Sequence, residues 1–286
     1  MDRPPTPVSS RSAGPSSPAD RFVITGCASG IGRVVADRLV ASGHRVLATD
    51  LDGDTLERYA QDRAWPTRAR RARLDVTSAD DWRRVLGEAD EAWGGLDVLY
   101  NVAGYLQPGY AHAFALEDID RHIDINVKGV MIGTRLAAER MVAQGHGHIV
   151  NIASMAALAP VPGLSLYSAS KYAVRSFSLA AALELADRGV AVTVVCPDAV
   201  ATPMLDKQVG YDEAALTFSG TRVLTADEVA VAITTRVLRD RPLELAIPRS
   251  RKVLARLADL VPEVAHLAAP LLRRQGRMKQ DLKRKK

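Results

Sequence analysis

The sequence is poor in cysteine and aromatic residues and has no long apolar run. Among its 286 residues only two are cysteines, Cys27 and Cys196, and aromatic residues make up 5%. Two isolated cysteines exclude a disulfide-stapled fold and favour a reducing compartment. No apolar run approaches the roughly 18 residues that span a bilayer, and no apolar core follows the first basic residues as in a secretory signal. We therefore expect a cytoplasmic protein without a membrane-spanning segment.

Charge is spread unevenly along the chain. The net charge is +5, yet residues 273–286 hold eight basic side chains and one acidic one, so the remainder is slightly acidic. Aromatic residues do not alternate with these basic residues, and Trp65, Trp82 and Trp93 are scattered. Nucleic-acid binding is therefore not expected. The length and the 47% hydrophobic content suit one large α/β domain.

Both ends differ from the middle of the chain. Residues 1–20 are rich in proline, serine and alanine, which predicts a disordered arm. Residues 249–286 carry leucine and valine at helical spacing, interrupted by Pro262 and Pro270, and end in the basic run. This pattern predicts an amphipathic extension. It could dock on the body of the protein or on a neighbouring subunit, or it could make weak peripheral contact with an anionic membrane.

Between the ends, short apolar runs alternate with helical patterns. Strands are predicted at 21–25, 45–50, 73–76, 96–101, 148–153, 190–196 and 243–247, and helices at about 31–42, 54–63, 78–93, 115–143, 165–188 and 226–239. Regular alternation of this kind is typical of a parallel sheet covered on both faces. Right-handed crossovers then give a doubly wound, Rossmann-type α/β fold of about seven strands in one domain, residues 21–248.

A glycine-rich turn follows the first predicted strand. Gly26 permits a tight turn, Gly30 lets the backbone approach a pyrophosphate, and Gly32 allows close packing of helix on strand. Asp50 ends the second strand, where a carboxylate can accept hydrogen bonds from the ribose diol of adenosine. The same carboxylate would repel a 2′-phosphate, so NAD(H) is predicted in preference to NADP(H).

Four polar residues form a candidate catalytic set. Tyr167 and Lys171 are four residues apart, on one face of a helix. A tyrosine with an ordinary pKa of about 10 is a poor base, but a nearby ammonium lowers that pKa towards working pH. Ser154 follows the fifth strand, where a hydroxyl can bond a substrate oxygen, and Asn126 lies inside a helix, where asparagine is unfavourable. Each of these residues alone has a purely structural explanation. The hypothesis of a catalytic site therefore depends on their occurring together.

Together these motifs resemble the single-domain short-chain dehydrogenase/reductase family over about residues 20–248. The matching segments are TGCASGIG at 25–32, Asp75-Val76, NVAG at 101–104, Asn126, Ser154, YSASK at 167–171 and residues 197–202. The resemblance implies that Tyr167 is the general acid/base and that Ser154 orients the carbonyl or alcohol oxygen. It also implies that Lys171 lowers the pKa of Tyr167 and binds the nicotinamide ribose, and that Asn126 holds a water of a proton relay.

The same resemblance implies a set of cofactor-binding residues: Gly26, Ser29, Gly30, Ile31, Gly32, Asp50, Asp75, Val76, Asn101, Ala103, Gly104, Tyr167, Lys171, Pro197 and Thr202. In that set Asp75 contacts the adenine and Thr202 the carboxamide. Two positions depart from the usual family pattern: Val102 stands where asparagine is usual, and Asp198 where glycine is usual. The family also implies a homodimer or homotetramer built on the helices at 115–143 and 165–188.

The substrate is predicted from two apolar segments. Residues 155–166 carry no charge, and residues 203–222 have the composition of a mobile lid. Met155, Leu164, Met204 and Phe218 are the predicted pocket residues, which favours a hydrophobic secondary alcohol or ketone. Two alternatives stay open, an NADP-preferring ketone reductase and a catalytically silent dinucleotide sensor or scaffold. No metal site is expected, because His146 and His148 have no third ligand nearby.

Overall fold

A seven-stranded parallel sheet forms the centre of the protein, in the strand order β3-β2-β1-β4-β5-β6-β9. The computed structural model describes residues 20–284, so the predicted arm at 1–20 lies outside the described residues except for Asp20. The strands are β1 (Arg21–Thr25), β2 (Arg45–Asp50), β3 (Ala69–Arg73), β4 (Val98–Asn101), β5 (Gly147–Ile152), β6 (Val190–Pro197) and β9 (Glu244–Ile247). A separate small pair joins β7 (Val200–Ala201) to β8 (Leu224–Thr225).

Helices cover both faces of this sheet. They are α1 (Gly30–Ala41), α2 (Gly53–Asp62), α3 (Ala79–Trp93), α4 (Glu117–Ile123), α5 (Gly129–Gln144), α6 (Ser165–Leu185), α7 (Pro203–Gln208), α8 (Ala226–Ala232), α9 (Leu238–Asp240), α10 (Arg249–Leu260) and α11 (Pro262–Arg284). All six residues of β5 are buried, as a strand covered on both faces requires. The predicted Rossmann-type fold is confirmed. None of the helices in residues 20–284 is long and apolar enough to cross a membrane.

The strand order places a switch point between β1 and β4. The chain runs outward from β1 through β2 to β3, then returns to add β4 on the other side of β1. At such a point the loops after neighbouring strands lead in opposite directions and leave a crevice at the carboxyl ends of the strands. The glycine-rich turn after β1 and the loop after β4 border that crevice.

Three predicted elements differ from the structure, one of them the helix at 226–239, which is interrupted by a π-helical turn at Ile233–Val237. The third strand was expected at 73–76 but lies at Ala69–Arg73. It is an edge strand with the sequence ARRAR, in which Arg70 and Arg73 are exposed, so it lacks the apolar pattern that identifies a buried strand. The predicted helix at 115–143 is interrupted by one turn of π-helix, Asp124–Lys128.

The extension after β9 folds back over the carboxyl ends of the strands as α10 and α11. Ala255 of α10 packs with Met155 and Cys196 in a core cluster. α11 packs against a 3-10 helix, Asp212–Ser219, which belongs to the predicted lid. We call α10 and α11, residues 249–284, the C-terminal cover.

Candidate active site

The glycine turn after β1 has the backbone geometry that an anion site needs. Gly26 and Gly30 have φ of 75° and 57°, in the left-handed region that favours glycine. At Gly32 a Cβ would lie 2.2 Å from the carbonyl oxygen of Gly26, so only glycine fits. Ser29 precedes α1 without capping it through its side chain, which leaves the first amides of the helix open to the cavity.

Asp50 closes the far end of the same cavity. It is the last residue of β2 and is half-buried. Its carboxylate accepts hydrogen bonds from the amides of Ala28 at 2.8 Å and Asp52 at 3.0 Å. These two bonds hold the carboxylate at the place where sequence spacing predicts an adenosine ribose. Asp75 also lines the cavity, and it accepts hydrogen bonds from the amide and hydroxyl of Thr77 at 2.9 and 2.7 Å.

The loop after β4 is tied to the glycine turn by a residue that sequence reasoning missed. The Thr25 hydroxyl oxygen accepts hydrogen bonds from the amides of Val102 and Ala103, both at 3.0 Å. A Cβ at Gly26 would lie 2.9 Å from Ala103, so the two loops are in direct contact. Val102, the departure from the family pattern, thus keeps its main-chain contact. The signal for Thr25 was its position as the last residue of a buried strand before the glycine turn.

Asn101 differs in position from the other residues of the segment 101–104. It does not line the cavity; its side chain is 3% exposed and donates to Asn151 Oδ1 at 2.8 Å. Asn151 in turn donates to Ser178 Oγ at 2.9 Å, which links β4 and β5 to α6. Asn101 therefore stabilises the packing of the sheet beneath the site. Of the predicted segment 101–104, the residues that line the cavity are Val102, Ala103 and Gly104, and contact of Asn101 with a cofactor stays a prediction.

Tyr167 and Lys171 lie side by side on α6, as their spacing predicts. Lys171 Nζ is 5.6 Å from the centre of the Tyr167 ring and donates a hydrogen bond to the carbonyl oxygen of Ile152 at 3.0 Å. The lysine is 4% exposed, and this burial lowers its pKa to about 8. Both side chains line the cavity.

The phenol of Tyr167 has two opposing influences on its ionisation. Burial raises the pKa of Tyr167 to about 12, and a hydrogen bond with Ser154 acts in the opposite direction. Ser154 lies two residues after β5. Its oxygen also accepts a hydrogen bond from the amide of Ala156 at 3.1 Å, which fixes the hydroxyl. A bound cation beside the phenol would lower the pKa further. The arrangement can therefore hold or release a proton at the Tyr167 oxygen.

Asn126 lies in the π-helical turn between α4 and α5. Its oxygen accepts the amide of Tyr105 at 2.7 Å, and its nitrogen donates to the Tyr105 carbonyl and to Ser170 Oγ, both at 2.9 Å. Ser170 then donates to the Tyr167 carbonyl at 2.7 Å. Three of the four hydrogen-bonding positions of the amide are thus used by the protein. Asn126 positions the Tyr105 loop and α6, and its role in holding a water stays a prediction.

One cavity of about 1470 Å³ joins these groups. Of the predicted cofactor-binding residues, all but Asn101 line it: Gly26, Ser29, Gly30, Ile31, Gly32, Asp50, Asp75, Val76, Ala103, Gly104, Tyr167, Lys171, Pro197 and Thr202. Met155, Leu164 and Met204, three of the predicted pocket residues, also line it. Phe218 does not; it is 4% exposed and packs with Leu106 and Leu205 in the core of the lid. The prediction for Phe218 is therefore corrected.

The cavity has a third wall that the sequence did not indicate. Leu254, Leu257 and Leu272 of the C-terminal cover line the cavity together with the two predicted walls. Arg251 of α10 forms an ion pair with Asp198, the second departure from the family pattern. Among residues 20–284 no group of three or more metal-ligating side chains is present.

A switch-point crevice, a glycine turn and a Tyr-Lys pair define a dinucleotide-binding oxidoreductase site. A family model described as short chain dehydrogenase matches residues 21–211. The chain belongs to this family, which confirms the resemblance seen in its motifs.

Two relatives and one solved structure support the assignment. A 2-(R)-hydroxypropyl-CoM dehydrogenase of Xanthobacter autotrophicus is 36% identical over 220 residues, 74% of this chain and 88% of the relative. A 3-alpha-(or 20-beta)-hydroxysteroid dehydrogenase of Mycobacterium tuberculosis is 36% identical over 184 residues, 64% of this chain and 70% of the relative. A short chain dehydrogenase/reductase of Burkholderia phymatum in complex with NAD is 27% identical, has a TM-score of 0.77, and the match covers 86% of this chain and 95% of that one.

Proposed function

We propose that the chain transfers a hydride between NAD(H) and a hydrophobic secondary alcohol or its ketone, with Tyr167 as general acid/base. The observation that carries the proposal is the arrangement of one cavity, which has Asp50 at one end and Tyr167, Lys171 and Ser154 at the other. Such a cavity suits a dinucleotide whose reactive ring lies beside the tyrosine. The family's secondary-alcohol dehydrogenases, such as the hydroxysteroid relative, support the reaction class.

The residues present fit a nicotinamide dinucleotide. A Cβ at Gly104 would lie 3.3 Å from Asn126 Oδ1 and 3.6 Å from Lys171 Nζ, so the glycine keeps open the space beside the lysine. Lys171 would bond the nicotinamide ribose there, and the α1 amides would hold the pyrophosphate. When bound, the oxidised ring supplies a hydride acceptor and the reduced ring a hydride donor.

The proton is handled by the chain's own residues. In the oxidation direction the Tyr167 phenolate takes the hydroxyl proton while the carbinol hydrogen leaves with its electron pair, which gives a carbonyl. Ser154 donates a hydrogen bond to the substrate oxygen and keeps it beside Tyr167. The Lys171 ammonium favours the phenolate over the phenol. In the reverse direction Tyr167 returns the proton to the developing alkoxide.

Replacing Tyr167 by phenylalanine tests the mechanism. Tyr167→Phe removes the transferable proton and is expected to lower kcat by ~10²–10⁴-fold while NAD binding stays the same. Tyr59→Phe is the matched control, because Tyr59 bonds Asp37 and does not line the cavity. Near-full turnover by Tyr167→Phe would refute the mechanism. Tight NAD binding without turnover of any alcohol in a broad panel would favour the sensor alternative.

Cofactor preference is tested at Asp50. The Asp50 carboxylate is held by two amides at the strand end where an adenosine ribose is expected, and there it would repel a 2′-phosphate, which supports NAD as the cofactor. Asp50→Ala is expected to raise the KM for NAD by roughly tenfold, because one or two hydrogen bonds to a charged group are lost. The same change is expected to lower the KM for NADP, because the repelling carboxylate is gone. Asp52→Ala is the control, because Asp52 caps α2 through Thr55 outside the cavity. An unchanged ratio of the two KM values would favour the NADP-preferring alternative.

A further inference from the structure

The C-terminal cover contributes apolar side chains to the mouth of the cavity. Leu254 and Leu257, one helical turn apart on α10, both line it, as does Leu272 of α11. They are 65%, 54% and 38% exposed, so each presents apolar surface without a full set of protein contacts. Exposed leucines at a cavity mouth favour an apolar ligand that covers them.

Specific contacts hold α10 against the domain. Lys252 and Arg256 donate to the carboxylate of Glu244 on β9 at 2.9 and 2.8 Å. Burial alone would raise the pKa of Glu244, but hydrogen bonds from Lys252 and Arg175 hold its pKa below the usual value. The hydroxyl of Tyr172, the residue after the catalytic lysine, donates to Asp259 at 2.7 Å. α10 is thereby joined to the helix that carries the catalytic pair.

Hydrogen bonds and close backbone packing hold α11 against the lid. Gln280 is 1% exposed, and its amide nitrogen donates to the carbonyls of Gln208 at 3.0 Å and Tyr211 at 2.7 Å. Gly276 lies so close to the 3-10 helix that a Cβ there would be 1.9 Å from the carbonyl oxygen of Ala215. The lid and α11 therefore form one packed unit over the cavity.

Charged groups of this wall are bonded to the protein rather than left open for a ligand. Arg251 pairs with Asp198, and Asp259 accepts the Tyr172 hydroxyl. The wall also includes His266 of α11, and its large apolar side chains are Leu254, Leu257 and Leu272. An apolar chain that extends from the reacting carbon towards the mouth would therefore meet Leu254 and Leu257.

We propose that the C-terminal cover is the specificity-determining wall of the substrate site, and that Leu254 and Leu257 bind the distal chain of a long apolar substrate. The proposal rests on the proposed function and names its substrate class: secondary alcohols or ketones with an extended hydrocarbon chain. Short alcohols fill only the space around Tyr167 and Ser154 and do not reach this wall.

The test compares chain lengths in matched double variants. Leu254→Ser/Leu257→Ser is expected to lower kcat/KM for 2-decanol about tenfold and to leave the value for 2-butanol within twofold, because lost apolar contacts are worth this much in a hydrophobic pocket. Val253→Ser/Leu260→Ser is the control on the same helix: these residues are 65% and 75% exposed and do not line the cavity. Equal losses for both alcohols, or the same loss in the control, would overturn the proposal.

A binding measurement separates this proposal from the proposed function. Calorimetric titration of 2-decanol into the enzyme–NADH complex needs no turnover, because the reduced cofactor cannot accept a hydride. About tenfold weaker binding of 2-decanol in Leu254→Ser/Leu257→Ser, with the control unchanged, supports the cover proposal. If the wild-type protein shows this binding but oxidises no alcohol, the proposed function fails and the cover proposal stands. Absence of 2-decanol binding in the wild-type complex, or equal binding in all three proteins, overturns the cover proposal.

Discussion

Arg251 of α10 forms an ion pair with Asp198, the residue that directly follows β6. The side chains are 34% and 14% exposed, so the carboxylate is largely removed from water. Asp198 stands where the resembled family usually has glycine. In this chain Asp198 provides a partner for the C-terminal cover, and both residues of the pair line the cavity.

The first prediction concerns this pair. Arg251→Leu leaves the Asp198 carboxylate without its cation and is expected to lower the free energy of unfolding by about 1–2 kcal/mol, below the range for a fully buried pair because both groups keep some water. Adding Asp198→Asn removes the isolated charge and should restore part of that loss. Urea unfolding of the wild type, the single variant and the double variant measures both effects. A double variant less stable than Arg251→Leu would contradict the interpretation.

The second prediction concerns the pH dependence of turnover. Alcohol oxidation needs the phenolate, so kcat/KM should rise with pH through the working pKa of Tyr167. Burial, partly offset by the hydrogen bond with Ser154, raises that pKa to about 12. On physical grounds a neighbouring Lys171 ammonium favours the phenolate and so lowers the working pKa. Lys171→Met is therefore expected to move the rising limb to higher pH by a unit or more. Lys207→Met is the control, since Lys207 is exposed and outside the cavity lining. A profile of lower height but unchanged midpoint would count against this role.

The third prediction concerns stability in acid. His148 on β5 is 1% exposed, and burial lowers its pKa to about 3. The unfolded chain has the ordinary value of about 6.5, so between these values it binds a proton that the folded chain does not. The free energy of unfolding should therefore fall as pH drops below 6.5, by up to about 1.4 kcal/mol per pH unit from this residue.

Urea unfolding at pH 7, 6 and 5 tests the third prediction. His148→Gln should show a shallower loss of stability with falling pH than the wild type. His146→Gln is the control, because His146 is exposed. Equal slopes for wild type and His148→Gln would show that this histidine is not responsible.

The fourth prediction concerns assembly. The family resemblance implies a homodimer or homotetramer built on the helices now defined as α5 and α6. Leu183 of α6 is 74% exposed, so Leu183→Glu should shift the protein towards the monomer in sedimentation. Leu282→Glu is the control, with a leucine 64% exposed on α11. A wild-type protein of 30.8 kDa at micromolar concentration would contradict the expectation.

The fifth prediction concerns the basic tail. Arg273 donates to the Tyr110 hydroxyl and Lys279 to the carbonyl of Gly220, so docking uses part of the charge. Deletion of 273–286 would also remove Gln280 and is therefore expected to disturb the lid and turnover. Point variants therefore test membrane contact more cleanly than truncation.

Arg274→Gln/Arg277→Gln is the variant for the fifth prediction. Both side chains are exposed, and we expect their removal to weaken salt-sensitive co-sedimentation with anionic vesicles. Arg188→Gln/Arg239→Gln removes the same charge from exposed sites elsewhere. Equal co-sedimentation of both variants with the wild type would leave the membrane prediction without support.

The sequence by itself determined the features that depend on local spacing. The three glycines at 26, 30 and 32 predict a tight turn through their backbone freedom. The end of an apolar strand predicts the position of Asp50. Tyr167 and Lys171 share a helix face because they are four residues apart. Periodicity also determined the order of strands and helices, and with the crossover rule the Rossmann-type sheet.

Only the tertiary structure decided which side chains face the cavity. Asn101 turns towards Asn151 and Phe218 towards the core of the lid, because partners distant in sequence satisfy the amide and bury the ring. From the sequence, the C-terminal cover is predicted only as an amphipathic tail. The structure shows that Gln280 donates to the carbonyl of Tyr211 and that Leu257 lines the cavity. Periodicity shows that a helix has an apolar face but not what that face meets, since the contact depends on how the whole chain packs.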